Sequence, residues 1–84
     1  MSQREKALKR LAARPTDYTW KELVSLLKRL GFQMYASDGS RTKFHRERDD
    51  ATLDLHRPHQ PSILKAYMLE QIVQRLKEYG DIDA

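Results

Sequence analysis

The chain changes hydrophobic period along its length, from a helical spacing to a strand spacing and back. Apolar residues recur every three to four positions in three segments, and alternate with polar residues in the region between the last two. The helical spacing predicts helices over 4–13, 20–30 and 64–79. The alternation predicts strands over 32–36, 41–46 and 52–56. We therefore expect an α+β fold with an α-β-β-β-α order, preceded by one extra short helix.

The second helix carries the clearest boundary signals. Thr19 and Glu22 have the spacing of a capping box, in which each side chain accepts a hydrogen bond from the other residue's backbone N–H. Gly31 follows the apolar stripe and is typical of a left-handed helix end, with Phe32 placed to pack back. The segment therefore begins near Trp20 and ends before Gly31.

The alternation assigns the strand residues to two faces. An antiparallel sheet with two long helices on one face leaves its other face open. The residues expected under the helices are Phe32, Met34, Phe44, Leu53 and Leu55. The residues expected on the open face are Tyr35, Arg41, Lys43, His45, Asp54 and His56. The sequence thus predicts a basic, histidine-bearing surface.

Composition narrows the class of protein. The 84 residues fit one domain, which we divide into an accessory helix over 1–15 and a main domain over 16–84. The absence of cysteine excludes disulfides, thiolate zinc sites and cysteine nucleophiles. The net charge of +4 is compatible with nucleic acid but also with an ordinary solvated surface. No apolar run approaches membrane-spanning length, so we expect a cytoplasmic protein with no membrane partner.

From Trp20 to Gly80 the chain resembles the HicA family of toxins from bacterial type II toxin–antitoxin pairs. The resemblance rests on Leu30-Gly31-Phe32, on Gly39-Ser40, on the basic and apolar strands, and on the loop His56-Arg57-Pro58-His59 before the closing helix. It implies a fold like that of double-stranded RNA-binding domains. It also implies an mRNA-cleaving ribonuclease that acts without a cofactor and is inhibited by a HicB-type antitoxin.

The chain departs from the family at one position. The usual motif is Gly-Ser-His with a catalytic histidine, and Arg41 stands at that position here. Arginine stays protonated and cannot act as a general base, although its planar fork suits phosphate oxygens. The family's loop histidine corresponds to His59, while His56 is additional. One alternative is therefore a module that binds RNA or antitoxin without cleavage, and another is a protein-interaction domain that never meets nucleic acid.

Metal-independent RNA cleavage needs a base, an acid and cations on the phosphate. We take His45 as the first acid–base candidate because it shares a strand face with Lys43 and Arg41. His59 is a second acid or a phosphate ligand, and Arg41 stabilises charge. The alternatives are a solvated strand histidine and a loop histidine that shapes its turn. No metal site is expected, because neither cysteines nor a helical histidine pair are present.

A second group of residues is expected to bind RNA. Basic side chains would contact phosphates and Tyr35 would stack on a base, whereas the alternative is an ordinary charged surface. Asp54 would orient a histidine or only balance charge. The predicted RNA-binding residues are Tyr35, Ser40, Arg41, Lys43, Arg46, His56 and Arg57.

Overall fold

The computed structural model describes residues 2–36, 39–59 and 62–83, and confirms the predicted order of elements. The helices are α1 (Gln3–Ala12), α2 (Trp20–Arg29) and α3 (Ala66–Glu78). The strands are β1 (Gln33–Ala36), β2 (Arg41–Arg46) and β3 (Ala51–His56), which form one antiparallel sheet in the order β1-β2-β3. Asp-Gly at the centre of Ser37-Asp38-Gly39-Ser40 predicts a hairpin turn between β1 and β2, of which Ser37 and Asp38 lie outside the described residues. Gln60 and Pro61, in the loop predicted before α3, also lie outside them.

Local signals at both ends of α2 act as the sequence predicts. The Thr19 hydroxyl accepts a hydrogen bond from the Glu22 backbone at 3.1 Å, and the Glu22 carboxylate accepts one from the Thr19 backbone at 3.3 Å. At the other end Gly31 has a φ of 99°, and the Phe32 N–H donates to the Leu27 carbonyl at 2.9 Å. This left-handed ending turns the chain back into β1 and buries the Phe32 ring.

The sheet has one covered face and one open face. Buried and exposed positions alternate along β2 and β3, since burial of the side chains under the helices leaves their neighbours pointing the other way. Trp20 of α2 packs on Phe44 of β2, with ring centroids 6.0 Å apart. Leu53 and Leu55 of β3 belong to the same core cluster as the buried stripe of α3. The covered face therefore holds the core and the open face is left for contacts.

One predicted core residue is not buried. Met34 lies opposite Phe44 in the β1–β2 register, so it does point toward the covered side. It is nevertheless 44% exposed, and all four residues of β1 are exposed. The prediction that Met34 packs under the helices is wrong, because β1 is an edge strand that the helices do not cover.

Arg46 is buried although the sequence suggested an exposed RNA contact. It belongs to the covered face, and its side chain is 1% exposed. The guanidinium donates two hydrogen bonds to Asp49, two to Asp81 and one to the Leu30 carbonyl, over distances of 2.8–3.1 Å. It also lies over the Phe32 ring, 4.6 Å from its centroid. All five N–H donors are therefore satisfied inside the protein.

Two helix ends meet at this guanidinium. Gly80 ends α3 with a φ of 85°, and the Asp81 N–H then donates to the Leu76 carbonyl at 2.8 Å, which directs Asp81 toward Arg46. At the end of α2, a Cβ added to Gly31 would lie only 3.3 Å from Cδ of Arg46. The backbone there comes close to the arginine stem because glycine has no side chain.

Helix α1 joins the same core and the same helix layer. Leu11 is fully buried, and the Ser2 hydroxyl caps the helix by accepting a hydrogen bond from the Glu5 N–H. Just beyond α1, Arg14 forms an ion pair with Glu70 of α3. The division between an accessory helix and a main domain at residue 15 stays a prediction.

Candidate nucleic-acid interface on the open sheet face

The strand register brings the open-face side chains into rows across the sheet. Residues directly opposite in neighbouring antiparallel strands have side chains on the same face, about 4.5–5.5 Å apart at Cβ. Tyr35 of β1 pairs with Lys43 of β2, and Lys43 pairs with Asp54 of β3. Arg41 pairs with His56 in the next row. An aromatic ring, two cations, a carboxylate and an imidazole therefore share one small area.

These side chains surround a shallow depression of about 570 Å³, which we call the open-face hollow. Its lining residues are Tyr35, Ala36, Arg41, Lys43, Asp54, Leu55 and His56. The hollow faces away from the helices, because Arg41, Lys43, Asp54 and His56 all occupy the exposed positions of their strands. Four predicted RNA-binding residues and Asp54 thus meet in one place.

A second cavity begins where the hollow ends. The Arg57 N–H donates to the Ser40 carbonyl at 2.8 Å, which extends the β2–β3 pairing beyond Arg41 and His56. The loop that follows borders a cleft of about 840 Å³ against the start of α3, which we call the loop cleft. Ser40, His56, Arg57 and His59 all line it. His56 lines both cavities, so the two adjoin at this residue.

His45 lies at the opposite end of β2 from Arg41. Four residues of strand separate them, which corresponds to about 13 Å. The His45 Nε2 atom is 2.7 Å from Oδ1 of Asp50, which sits in the β2–β3 turn with a left-handed φ of 55°. Because an ionised carboxylate only accepts hydrogen bonds, Nε2 is the donor in this contact. The structure does not bring His45 together with His59.

Arg46 is not part of either cavity. Its contacts with Asp49 and Asp81 hold it on the covered face, so its position does not support the hypothesis that it contacts RNA. The hydrogen bonds from the Arg46 guanidinium also lower the pKa of Asp49 below its ordinary value. The pKa of Arg46 itself is raised, first by Asp49 and then by Asp81. Arg46 is thus a fixed interior cation.

Sequence reasoning missed three residues that line the loop cleft: Arg14, Lys65 and Tyr67. Arg14 and Lys65 are single basic residues whose position depends on tertiary packing, so no local spacing identifies them. Tyr67 did carry a signal, because it is an aromatic residue outside the apolar stripe of α3, and it is 61% exposed.

Residues 2–36, 39–59 and 62–83 contain neither a metal-binding cluster nor a membrane-spanning helix. No three histidine or carboxylate side chains there converge as metal ligands would. In the same part of the chain, no helix has the length and apolarity needed to cross a membrane.

The fold and the open face define a small α+β domain with basic side chains on its open sheet face. Comparison with protein families matches residues 20–80 to the HicA toxin of bacterial toxin–antitoxin systems. Since the match covers most of the chain, the chain belongs to the HicA toxin family, as its motifs suggested. No curated protein matches the sequence, and no solved structure matches the fold.

Proposed function

We propose that this chain is a bacterial toxin that binds RNA on its open sheet face and cleaves it in the cytoplasm by metal-independent acid–base chemistry. The observation that carries the proposal is the meeting of the open-face hollow and the loop cleft at His56. Cations, an aromatic ring and two histidines border these two adjoining cavities, and these are the groups that bind and transform phosphodiesters.

Arg41 and Lys43 are the proposed phosphate contacts. Both are exposed on one face of β2, and their spacing of two residues corresponds to about 7 Å along the strand. Arginine binds phosphate oxygens with its planar fork, and lysine acts as a point charge. Tyr35, opposite Lys43 and 48% exposed, offers a flat surface for a base beside that phosphate.

His56 and His59 are the proposed acid–base pair. One imidazole removes the proton from a 2′-hydroxyl, the 2′-oxygen attacks phosphorus, and the other imidazole protonates the 5′-oxygen as its bond to phosphorus breaks. Arg41, directly opposite His56, stabilises the charge that builds on the phosphate oxygens. His45 remains the alternative base, since Asp50 holds its ring, but it lies about 13 Å along the strand from Arg41.

Three histidine variants test this assignment on a long single-stranded RNA. We expect His56→Ala and His59→Ala each to slow cleavage about 10²- to 10⁴-fold, the usual contribution of a general acid or base. His45→Ala should slow it less than about tenfold, since it would remove no proton-transfer group. Cleavage abolished by His45→Ala and unaffected by His56→Ala would reverse the assignment.

A second candidate function is RNA or antitoxin binding without cleavage. Arg41 favours it, because a guanidinium at the position of the family's catalytic histidine cannot accept a proton. In that case the wild-type protein binds single-stranded RNA and leaves it intact. The variant Arg41→His, which restores Gly-Ser-His, would then gain cleavage activity. Cleavage by the wild-type protein would rule this candidate out.

The proposed partner is a HicB-type antitoxin that covers the open face. The basic surface around Arg41 and Lys43 would be matched by acidic side chains on the antitoxin. Covering the open-face hollow would block RNA directly, so RNA and antitoxin should compete for the chain. A competition assay tests this expectation, and a stable ternary complex would contradict it.

A further inference from the structure

We propose that the loop cleft holds one unstacked nucleobase of a single-stranded RNA, with the ring of Tyr67 as its stacking surface. This inference rests on the proposed RNA-binding function and adds a specific subsite to it. The cleft volume of about 840 Å³ lies in the range of small-molecule sites.

The exposed apolar side chains of the described residues are concentrated at the two cavities. Four large hydrophobic residues are exposed in the described part of the chain, and all but Met34 line one of the two cavities: Met34, Tyr35, Ile63 and Tyr67. Ile63 and Tyr67 line the loop cleft, and Tyr35 lines the open-face hollow. Single exposed apolar residues are ordinary, but three that border two adjoining cavities indicate a contact surface.

The charges around the loop cleft favour a polyanion. None of the described residues that line it is a carboxylate, and five of them are basic: Arg14, His56, Arg57, His59 and Lys65. The charge of Arg14 is partly offset by its ion pair with Glu70. A second cleft, between β3 and α3, has the opposite character, with the carboxylates of Asp54, Glu70 and Glu78 against one guanidinium. Phosphates would therefore enter the loop cleft and avoid its neighbour.

The geometry also favours single-stranded RNA over a duplex. A base can stack on a side chain only when it has left its neighbours, as bases in loops and single strands do. The strand would cross Tyr35, Lys43 and Arg41 in the open-face hollow, pass His56, and place its next base against Tyr67. Tyr67 would thus help to position the phosphodiester near His56 and His59.

Binding of a short RNA oligonucleotide tests the inference. The oligonucleotide carries 2′-O-methyl groups, so that it cannot be cleaved. We expect Tyr67→Ala to weaken binding about 5- to 150-fold, the range measured for the loss of one base–aromatic stack, while Tyr67→Phe keeps most of the affinity. Met34→Ala is the matched control, because Met34 is equally an exposed apolar residue but lines neither cavity.

A second measurement distinguishes loss of base stacking in Tyr67→Ala from a general loss of contact area with the RNA. Oligonucleotides with an abasic site at each position in turn should reveal one position at which Tyr67→Ala has no further effect. The dependence of affinity on salt should stay unchanged in Tyr67→Ala, since no phosphate contact is removed.

The outcomes distinguish failure of the Tyr67 subsite from failure of the proposed RNA-binding function. Wild-type binding with equal affinity for Tyr67→Ala overturns the tyrosine subsite and leaves the proposed function standing. A Tyr67→Ala effect that persists at every abasic position also overturns it. Absence of any binding by the wild-type protein at low salt overturns the proposed function, and the subsite with it.

Discussion

Arg46 is a buried basic side chain on a strand whose other arginine and lysine residues, Arg41 and Lys43, are exposed. Its five donors match two carboxylates and one carbonyl, a set that the fork of arginine satisfies and the point charge of lysine does not. Asp81 is 3% exposed, and among the described residues its second cation, Arg48, lies at 3.9 Å, farther away than Arg46 at 2.9 Å. The two charges are therefore stable in the interior only together.

Arg46→Met should strongly destabilise the fold. The substitution keeps much of the stem but leaves the Asp81 carboxylate buried and unpaired, and breaking a buried pair in this way costs about 3–5 kcal/mol. Chemical denaturation measures the difference in the free energy of unfolding. Lys28→Met is the control, because Lys28 is exposed on α2 and such substitutions change stability by about 0.5 kcal/mol or less.

Removing the second charge should recover part of the loss. In Arg46→Met combined with Asp81→Asn, no ionised group remains buried without a partner, so the double variant should be more stable than the single one. Equal stability of the two would show that the cost lies in packing of the arginine stem.

The sequence predicts the open-face residues well and fails at Arg46 for a physical reason. Alternation alone places Arg41, Lys43 and His45 on one side, and the register confirms that placement. A charge on the covered side is acceptable only with a partner, and Asp81 is far away along the chain. No local pattern records a contact over that distance.

Helices α2 and α3 end in the same way. Each ends in a glycine with a left-handed backbone, Gly31 and Gly80, and each then directs its next residue inward. The two differ in their surroundings. A Cβ on Gly80 would meet no atom within 4 Å, whereas one on Gly31 would press on the Arg46 stem.

Alanine substitutions at these glycines should therefore have unequal effects. Gly80→Ala should cost about 1–2 kcal/mol from the left-handed backbone alone. Gly31→Ala should cost more, because it adds the contact with Arg46 at 3.3 Å. Thermal unfolding of both variants provides the comparison, and equal losses would mean that Arg46 moves aside freely.

Strand β1 shows that sequence alternation predicts a strand and its two faces but does not predict burial. The period of two identified β1 correctly, and register places Met34 on the expected side. Its exposure depends on how far the helices extend over the sheet, which is a property of their packing. The sequence of β1 contains no information on that distance.

At the scale of the whole molecule, charge is distributed unevenly around β3. One side of the strand borders the open-face hollow and the loop cleft, where Asp54 is the one carboxylate among the described lining residues. The other side borders the cleft in which Asp54 is joined by Glu70 and Glu78. The net charge of +4 therefore understates the basic character of the proposed RNA path. A polyanion meets an attractive surface on one side only.

Binding of single-stranded RNA should weaken steeply with salt if this path is used. Each phosphate contact contributes about 0.7 to the slope of log K against log salt, so neutralising Lys43 as Lys43→Gln should lower the slope by about that amount. Lys28→Gln removes the same charge from an exposed position of α2, on the other side of the core, and should leave the slope unchanged. Equal effects of the two variants would indicate attraction by net charge alone.

The pairing of Arg46 with Asp81 also bears on how the chain is made. The ribosome adds residue 46 well before residue 81, so a nascent chain carries the guanidinium while one of its two carboxylates does not yet exist. At that stage all residues of the sheet and of both long helices can have been synthesised, but Arg46 still lacks the Asp81 carboxylate as a partner. We expect the native fold to form only after Asp81 has left the exit tunnel. The covered face of the sheet would therefore be complete only once Asp81 has reached Arg46.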